Sequence, residues 1–164
     1  MKRILCLILS FALMIPIFGC SSPSFDPVMF YYCRRPGDYQ YFQEDGVIAS
    51  EGRDLSGHSG DLQYLVALYL AGPLDETMTS PFPRKTRLVA VEKTDRSVQI
   101  ELTDLGSTMS DSEFSLAAVC LAKTCIPFAG VSEASIRSGA RTITINAENV
   151  FLYDNTITDS TEGE

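Results

Sequence analysis

Histidine occurs once in these 164 residues. A lone imidazole cannot build a His-rich zinc site, and as a general base it needs an activated partner and an orienting group. His58 sits in Ser-Gly-His-Ser-Gly, whose flexible neighbours are poor scaffolding for a triad, so it reads as a polar loop residue. No CxxC pair occurs, which removes the usual zinc and dithiol spacings. Walker, GxGxxG, GxSxG and EF-hand patterns are missing as well. No catalytic residue, metal ligand or cofactor is therefore expected, and the chain reads as non-enzymatic.

Bases are also scarce: 13 Lys and Arg against 21 Asp and Glu. Lys2 and Arg3 belong to the N-terminal leader and all 21 acids follow it, so the body holds 11 bases against 21 acids, a net charge of −10. This balance argues against nucleic acid and against a broad grip on anionic lipid, both of which need clustered positive charge. Hydrophobic content of 45% and charged content of 21% suit one ordinary domain with a buried core. Glu44-Asp45 and Asp75-Glu76 read as solvated turn carboxylates. Arg34-Arg35 and Arg84-Lys85-x-Arg87 read as surface charge, or as a docking patch for an acidic partner. Tyr31, Tyr32, Tyr39, Tyr41 and Phe42 read as core packing, or as a sugar-stacking platform.

The first 20 residues run from basic Lys2-Arg3 through an apolar stretch, Ile4 to Phe18, to Gly19-Cys20, the order of a signal peptide. Fifteen residues of helix span roughly 22 Å, short against a hydrocarbon core of about 30 Å. An uncleaved anchor is the alternative. Ile17-Phe18-Gly19-Cys20 resembles the lipobox of bacterial lipoproteins, which implies lipid attachment at Cys20. The expected organisation is a signal peptide over 1–19, a polar tether over 20–27, a domain over 28–153 and an acidic disordered tail over 154–164. Cys33, Cys120 and Cys125 remain. The last two lie five apart on a predicted helix, about 140° around it, and cannot easily pair with each other. A disulfide from Cys33 to a helix cysteine and three buried thiols both stay open.

Along the body, residues 28–33 read as strand, and Asp45-Gly46 as the turn of a hairpin joining 39–43 to 47–50. Residues 52–60 read as loop. Leu62, Leu65, Val66 and Tyr69 fall at helical spacing, Ser59 or Asp61 offers a cap, and Gly72-Pro73 stops that helix near Ala71. Residues 88–93 and 98–103 alternate as two strands about a turn at Thr94-Asp95-Arg96. Ser110-x-x-Glu113 is a capping box opening a second helix that Pro127 should end near Ile126, with Phe114, Ala117, Ala118, Leu121, Thr124 and Cys125 on one face. Strands are expected in 130–139, 141–146 and 149–154. The fold expected is α+β: a two-layer sandwich with two helices packed on a mostly antiparallel sheet, of split βαβ character.

The order of these signals resembles the GerMN domain over roughly residues 28–139. It is carried by Ala71-Gly72-Pro73 closing a helix, by Pro83 with Thr86 leading into paired strands, by Thr124 late in the second helix, and by Gly130-Val131 turning into a strand. The resemblance implies a ring-building-motif-like sandwich and an extracytoplasmic lipoprotein tied to sporulation or spore germination. It implies no catalytic residues. The expected partners are the membrane, through lipid on Cys20, and other envelope proteins or further copies, with no nucleic acid. The expected place is the outer face of the bacterial cell membrane. The alternative function is binding of cell-wall glycan or another small ligand through the aromatic start.

Overall fold

The computed structural model describes residues 26–35 and 46–151. The leader with Cys20, the expected strand at 39–43 with Asp45, and the tail from residue 152 lie outside the described residues. Among the described residues the chain forms β1 (Val28–Arg34), β2 (Ile48–Arg53), α1 (Leu62–Leu70), β3 (Met78–Thr79), β4 (Leu88–Lys93), β5 (Ser97–Leu102), α2 (Asp111–Ala129), β6 (Glu133–Ser138), β7 (Arg141–Asn146) and α3 (Ala147–Phe151).

The α+β class holds, with the strands divided between two sheets rather than one. The first has the order β2-β1-β3, all antiparallel. The second has the order β4-β5-β6-β7. Its central pair, β5 and β6, is parallel and its outer pairs are antiparallel. Parallel neighbours need a crossover, and α2 supplies it. That helix packs against β1 on one side and against β5, β6 and β7 on the other. The expected face, Phe114, Ala117, Ala118, Leu121, Thr124 and Cys125, is buried, and so are Cys120, Ala122, Lys123, Ile126 and Ala129. A helix covered on both flanks is apolar nearly all round. Its 19 residues are long and apolar enough to cross a membrane, yet most of them lie buried inside this fold.

The helix ends follow local chemistry. Asp61 caps α1, its carboxylate accepting from the Tyr64 N–H at 2.9 Å. At the other end Gly72 takes φ +100°, a left-handed conformation that costs glycine little, and its N–H bonds the Tyr69 carbonyl at 3.0 Å. Ser110 and Glu113 form the reciprocal capping box on α2. Pro127 does not end α2. The ring removes one N–H in the final turn, and the stop is set three residues later by Gly130 at φ +64°. There the Val131 N–H reaches the Ile126 carbonyl and the Gly130 N–H reaches that of Pro127, both at 3.2 Å, a Schellman closure.

Three further expectations change. Strand β2 continues past Ser50 through Glu51 to Arg53, into the stretch 52–60 read above as loop, because it pairs along its whole length with β1. The long connection after Pro73 carries β3, paired through Met78 and Thr79 to Arg34 and Cys33. The expected strand at 149–154 is, over its described part, helix α3: β7 ends at Asn146, whose side-chain oxygen accepts from the Glu148 N–H at 2.9 Å and starts a helical turn.

Candidate functional site

The stop after α1 is held from across the fold. Arg53 on β2 donates to the Leu68 carbonyl at 3.3 Å and to the Gly72 carbonyl at 2.6 Å, acceptors that a helix end leaves without intrahelical partners. Its Nε donates to Glu51 at 2.7 Å, and its guanidinium lies 4.6 Å from the centroid of the Phe30 ring. The Glu51 carboxylate also accepts from the N–H groups of Leu74 at 3.0 Å and Asp75 at 2.9 Å. Burial pushes the Glu51 carboxyl up, but the Asp75 and Leu74 N–H groups and Arg53 together hold it below its ordinary value. Ala71, Gly72 and Pro73 are thus clamped in place and serve structure. Neither Glu51 nor Arg53 was legible as a pair while β2 was taken to end at Ser50. Residues two apart on a strand share a face, and that signal would have found them.

Aromatic rings fill the space beneath the clamp. Tyr32 and Tyr69 stack with centroids 4.8 Å apart and Phe82 meets Tyr69 edge-on at 6.3 Å. Tyr32 donates to the Tyr69 carbonyl at 3.1 Å and Tyr69 to the Tyr31 carbonyl at 2.9 Å. Burial pushes both phenols well above their ordinary range. Tyr32 is therefore core, and Tyr39, Tyr41 and Phe42 lie outside the described residues. Thr124 fastens β1 to α2: its hydroxyl accepts from the Tyr31 N–H at 3.0 Å and donates to the Cys120 carbonyl at 3.1 Å. Thr124→Val keeps the shape and orphans the Tyr31 N–H, so it should cost about 1–3 kcal/mol in urea unfolding. An unchanged midpoint would show that water replaces the hydroxyl.

Cys33, Cys120 and Cys125 are buried free thiols. A hydrogen bond with Cys33 and burial push the Cys120 thiol up, and burial alone raises Cys125. His58 is exposed and stacks on Tyr64 at 3.6 Å, with Nδ1 3.9 Å from the Asp61 carboxylate. Asp75 turns its carboxylate to the N–H and hydroxyl of Thr77, as a turn residue does. Among the described residues no three His, Cys, Asp or Glu are grouped to hold a metal.

A groove open to a partner lies between α1 and β4. Gln63, Ala67 and Leu70 form one wall and residues 88–92 the other, around about 1040 Å³. Pro83 and Thr86 shape the entry: the Thr86 N–H bonds the Pro83 carbonyl at 2.9 Å, a turn that leaves Arg84 and Lys85 exposed at its tip. Arg87 follows on the rim and donates to the Arg84 carbonyl at 3.0 Å. A smaller cleft of about 270 Å³ shares Leu70, Ala71 and Arg84 with this groove and continues past Leu74. Among the described residues β4 is an edge strand. The hairpin closes with the Thr94 N–H on the Ser97 carbonyl at 2.8 Å. Alternation from that pair directs the backbone groups of Glu92 and Ala90 to β5 and those of Lys93 and Val91 outward. Val89, at a bulge in β4, is 58% exposed and Leu74 79%, large values for apolar side chains on one surface. The outward ladder and the basic rim were not legible in the sequence as one feature, since only the turn at Pro83 and the helix stop at Gly72 bring them together.

No family model matches the chain, and no curated protein matches it. Among solved structures it is similar to the tandem GerMN domains of the sporulation protein GerM from Bacillus subtilis, with 19% identity and a TM-score of 0.49. The match covers 70% of this chain and 39% of that one, so the chain spans well under half the length of the structure it resembles.

Proposed function

We propose that this chain is a lipid-anchored, non-enzymatic domain at the outer face of the cell membrane that mediates protein assembly, in sporulation or spore germination. The anchoring part is supported by the leader and by Ile17-Phe18-Gly19-Cys20. The link to sporulation or germination rests on the motif order from Ala71-Gly72-Pro73 to Gly130-Val131 that resembles GerMN domains. The observation that carries assembly is the groove of about 1040 Å³ beside the open edge of β4. An unpaired edge is a template for another strand, and a flanking groove gives the incoming side chains something to select.

Three changes to the full chain test this in cells. Cys20→Ala should move the protein from the membrane to the soluble fraction; unchanged membrane retention would sink the lipid anchor. A photo-crosslinker at Gln63, on the groove wall, should trap a discrete partner or a second copy. Val89→Arg should abolish that adduct while leaving stability within about 0.5 kcal/mol, because the side chain is exposed. No adduct, or one that survives Val89→Arg, removes the assembly reading.

A further inference from the structure

We propose that Cys33 and Cys120 are a dithiol pair that closes to a disulfide, a bond that pins β1 to α2. The structure holds both in the reduced form. This goes beyond the assembly reading and does not depend on it, because neither thiol lines the groove.

Strand and helix bring the two residues together. The Thr124 hydroxyl accepts from the Tyr31 N–H at 3.0 Å and fixes one point of register between β1 and α2. The Lys123 ammonium, 5.0 Å from the Tyr31 ring centroid, holds the same point. Cys33 lies two residues further along the strand, a step of about 6.8 Å. Cys120 lies one helical turn before Thr124, a step of about 6 Å. The two steps are nearly equal, and the thiols meet in a side-chain hydrogen bond. Cys125 lies five residues past Cys120, about 140° around the helix, and burial alone raises its thiol.

The pair divides the chemistry. The Cys120 S–H donates to Cys33, which holds the Cys33 thiol below its ordinary value against the cost of burial. The same bond and burial push Cys120 up. Cys33 is 8% exposed and Cys120 is fully buried. Cys33 is therefore the attacking thiolate and Cys120 the resolving thiol. On the side away from β2, Cys33 is covered by β3, a strand of two residues. So short a pairing opens locally and admits an oxidant.

That oxidant is an external disulfide, the class that an oxidising compartment supplies. Cys33 gives its proton to solvent and attacks one sulfur of the external disulfide. The external S–S bond breaks, and one thiolate leaves and takes up a proton. Cys120 then loses its proton and attacks the Cys33 sulfur of the mixed disulfide, which expels the second thiolate to be protonated in turn. Two protein thiols are oxidised to one disulfide, and the external disulfide is reduced to two thiols. The closed loop holds β2, α1, β3, β4 and β5, so the bond removes freedom from much of the unfolded chain.

Peptide mapping tests this. Reduced full chain in detergent micelles is treated with oxidised glutathione, and the remaining thiols are alkylated in denaturant. The map should show Cys33 joined to Cys120, with Cys125 alkylated. Cys120→Ser should stop with glutathione on Cys33, and Cys33→Ser should leave Cys120 alkylated. Reductant should lower the urea midpoint of the oxidised natural chain, and oxidised Cys125→Ser should respond in the same way. Alkylation of both Cys33 and Cys120 in the natural chain, a bond from Cys33 to Cys125, or a covalent dimer through Cys33 overturns the proposal. A midpoint that reductant does not move overturns the pinning of β1 to α2. The map of the natural chain needs no substitution, so it decides even where a variant fails to fold.

Discussion

Arg53→Met should destabilise the domain by about 3–5 kcal/mol, read from the urea or guanidinium midpoint at constant slope. The side chains of Arg53 and Glu51 are 6% and 11% exposed. Methionine fills much of the volume but strands the Glu51 carboxylate and frees the Leu68 and Gly72 carbonyls. Replacing both partners by apolar residues should recover only part of the loss, because Leu74 and Asp75 also lose the acceptor for their N–H groups. A loss below about 1 kcal/mol would mean that the clamp is solvated and weak.

The same pair sets an acid limit. The Glu51 carboxyl is lower in the folded state than in the unfolded chain, where it lies near its usual value of about 4.3. Its contribution is therefore complete above that value and is lost as pH falls through the lower folded value. Glu51→Gln should be less stable near neutrality and flatten this part of the acid limb. An acid limb as steep as that of the natural protein would show that other carboxyls govern it.

Tyr69→Ala should cost about 3–5 kcal/mol, the range for deleting a large aromatic from a core. The ring is fully buried, stacked on Tyr32, edge-on to Phe82, and hydrogen-bonded through its hydroxyl to β1. Tyr69→Phe separates the contributions: it keeps the stacking and should cost about 1 kcal/mol for the lost hydrogen bond. A double-mutant cycle with Tyr32 should return about 0.5–1.5 kcal/mol of coupling for the stacked pair. Burial raises both phenols in the folded state, so the stability they lend is intact below about 10 and falls as pH rises above it. Absorbance titration should show these two tyrosines ionising only with unfolding. Normal titration of all tyrosines in the folded protein would contradict the buried stack.

The sequence was most legible where structure is local. Asp61, Gly72, Ser110 and Glu113 act within one turn of their own helix, and the hairpin from Leu88 to Leu102 closes on neighbours. It was least legible where a distant element decides. Glu51 and Arg53 follow no long apolar run and become strand only because β1 pairs with them. Lys123 carried no reading of its own in the sequence; it is buried with its ammonium 5.0 Å from the Tyr31 ring centroid, a contact set by β1. Pro127 has a strong local meaning, and the left-handed Gly130 three residues later overrules it. The groove was half legible: its basic rim was read as either surface charge or a docking patch. Its strand edge emerges only from the order of the sheet.

The helix lying between two sheets also fixes how the domain comes apart. Among the described residues both sheets draw apolar cover from the same 19 residues of α2, and the first also from Tyr69 of α1. Tyr31 and Thr124, joined by one hydrogen bond, are 93 positions apart. Contacts of that separation form late and break together, which makes folding slow relative to a helical bundle of equal length. The first sheet is therefore no independent folding unit despite being first in the chain: its strands wait for α2, and the loss of that helix releases both layers at once.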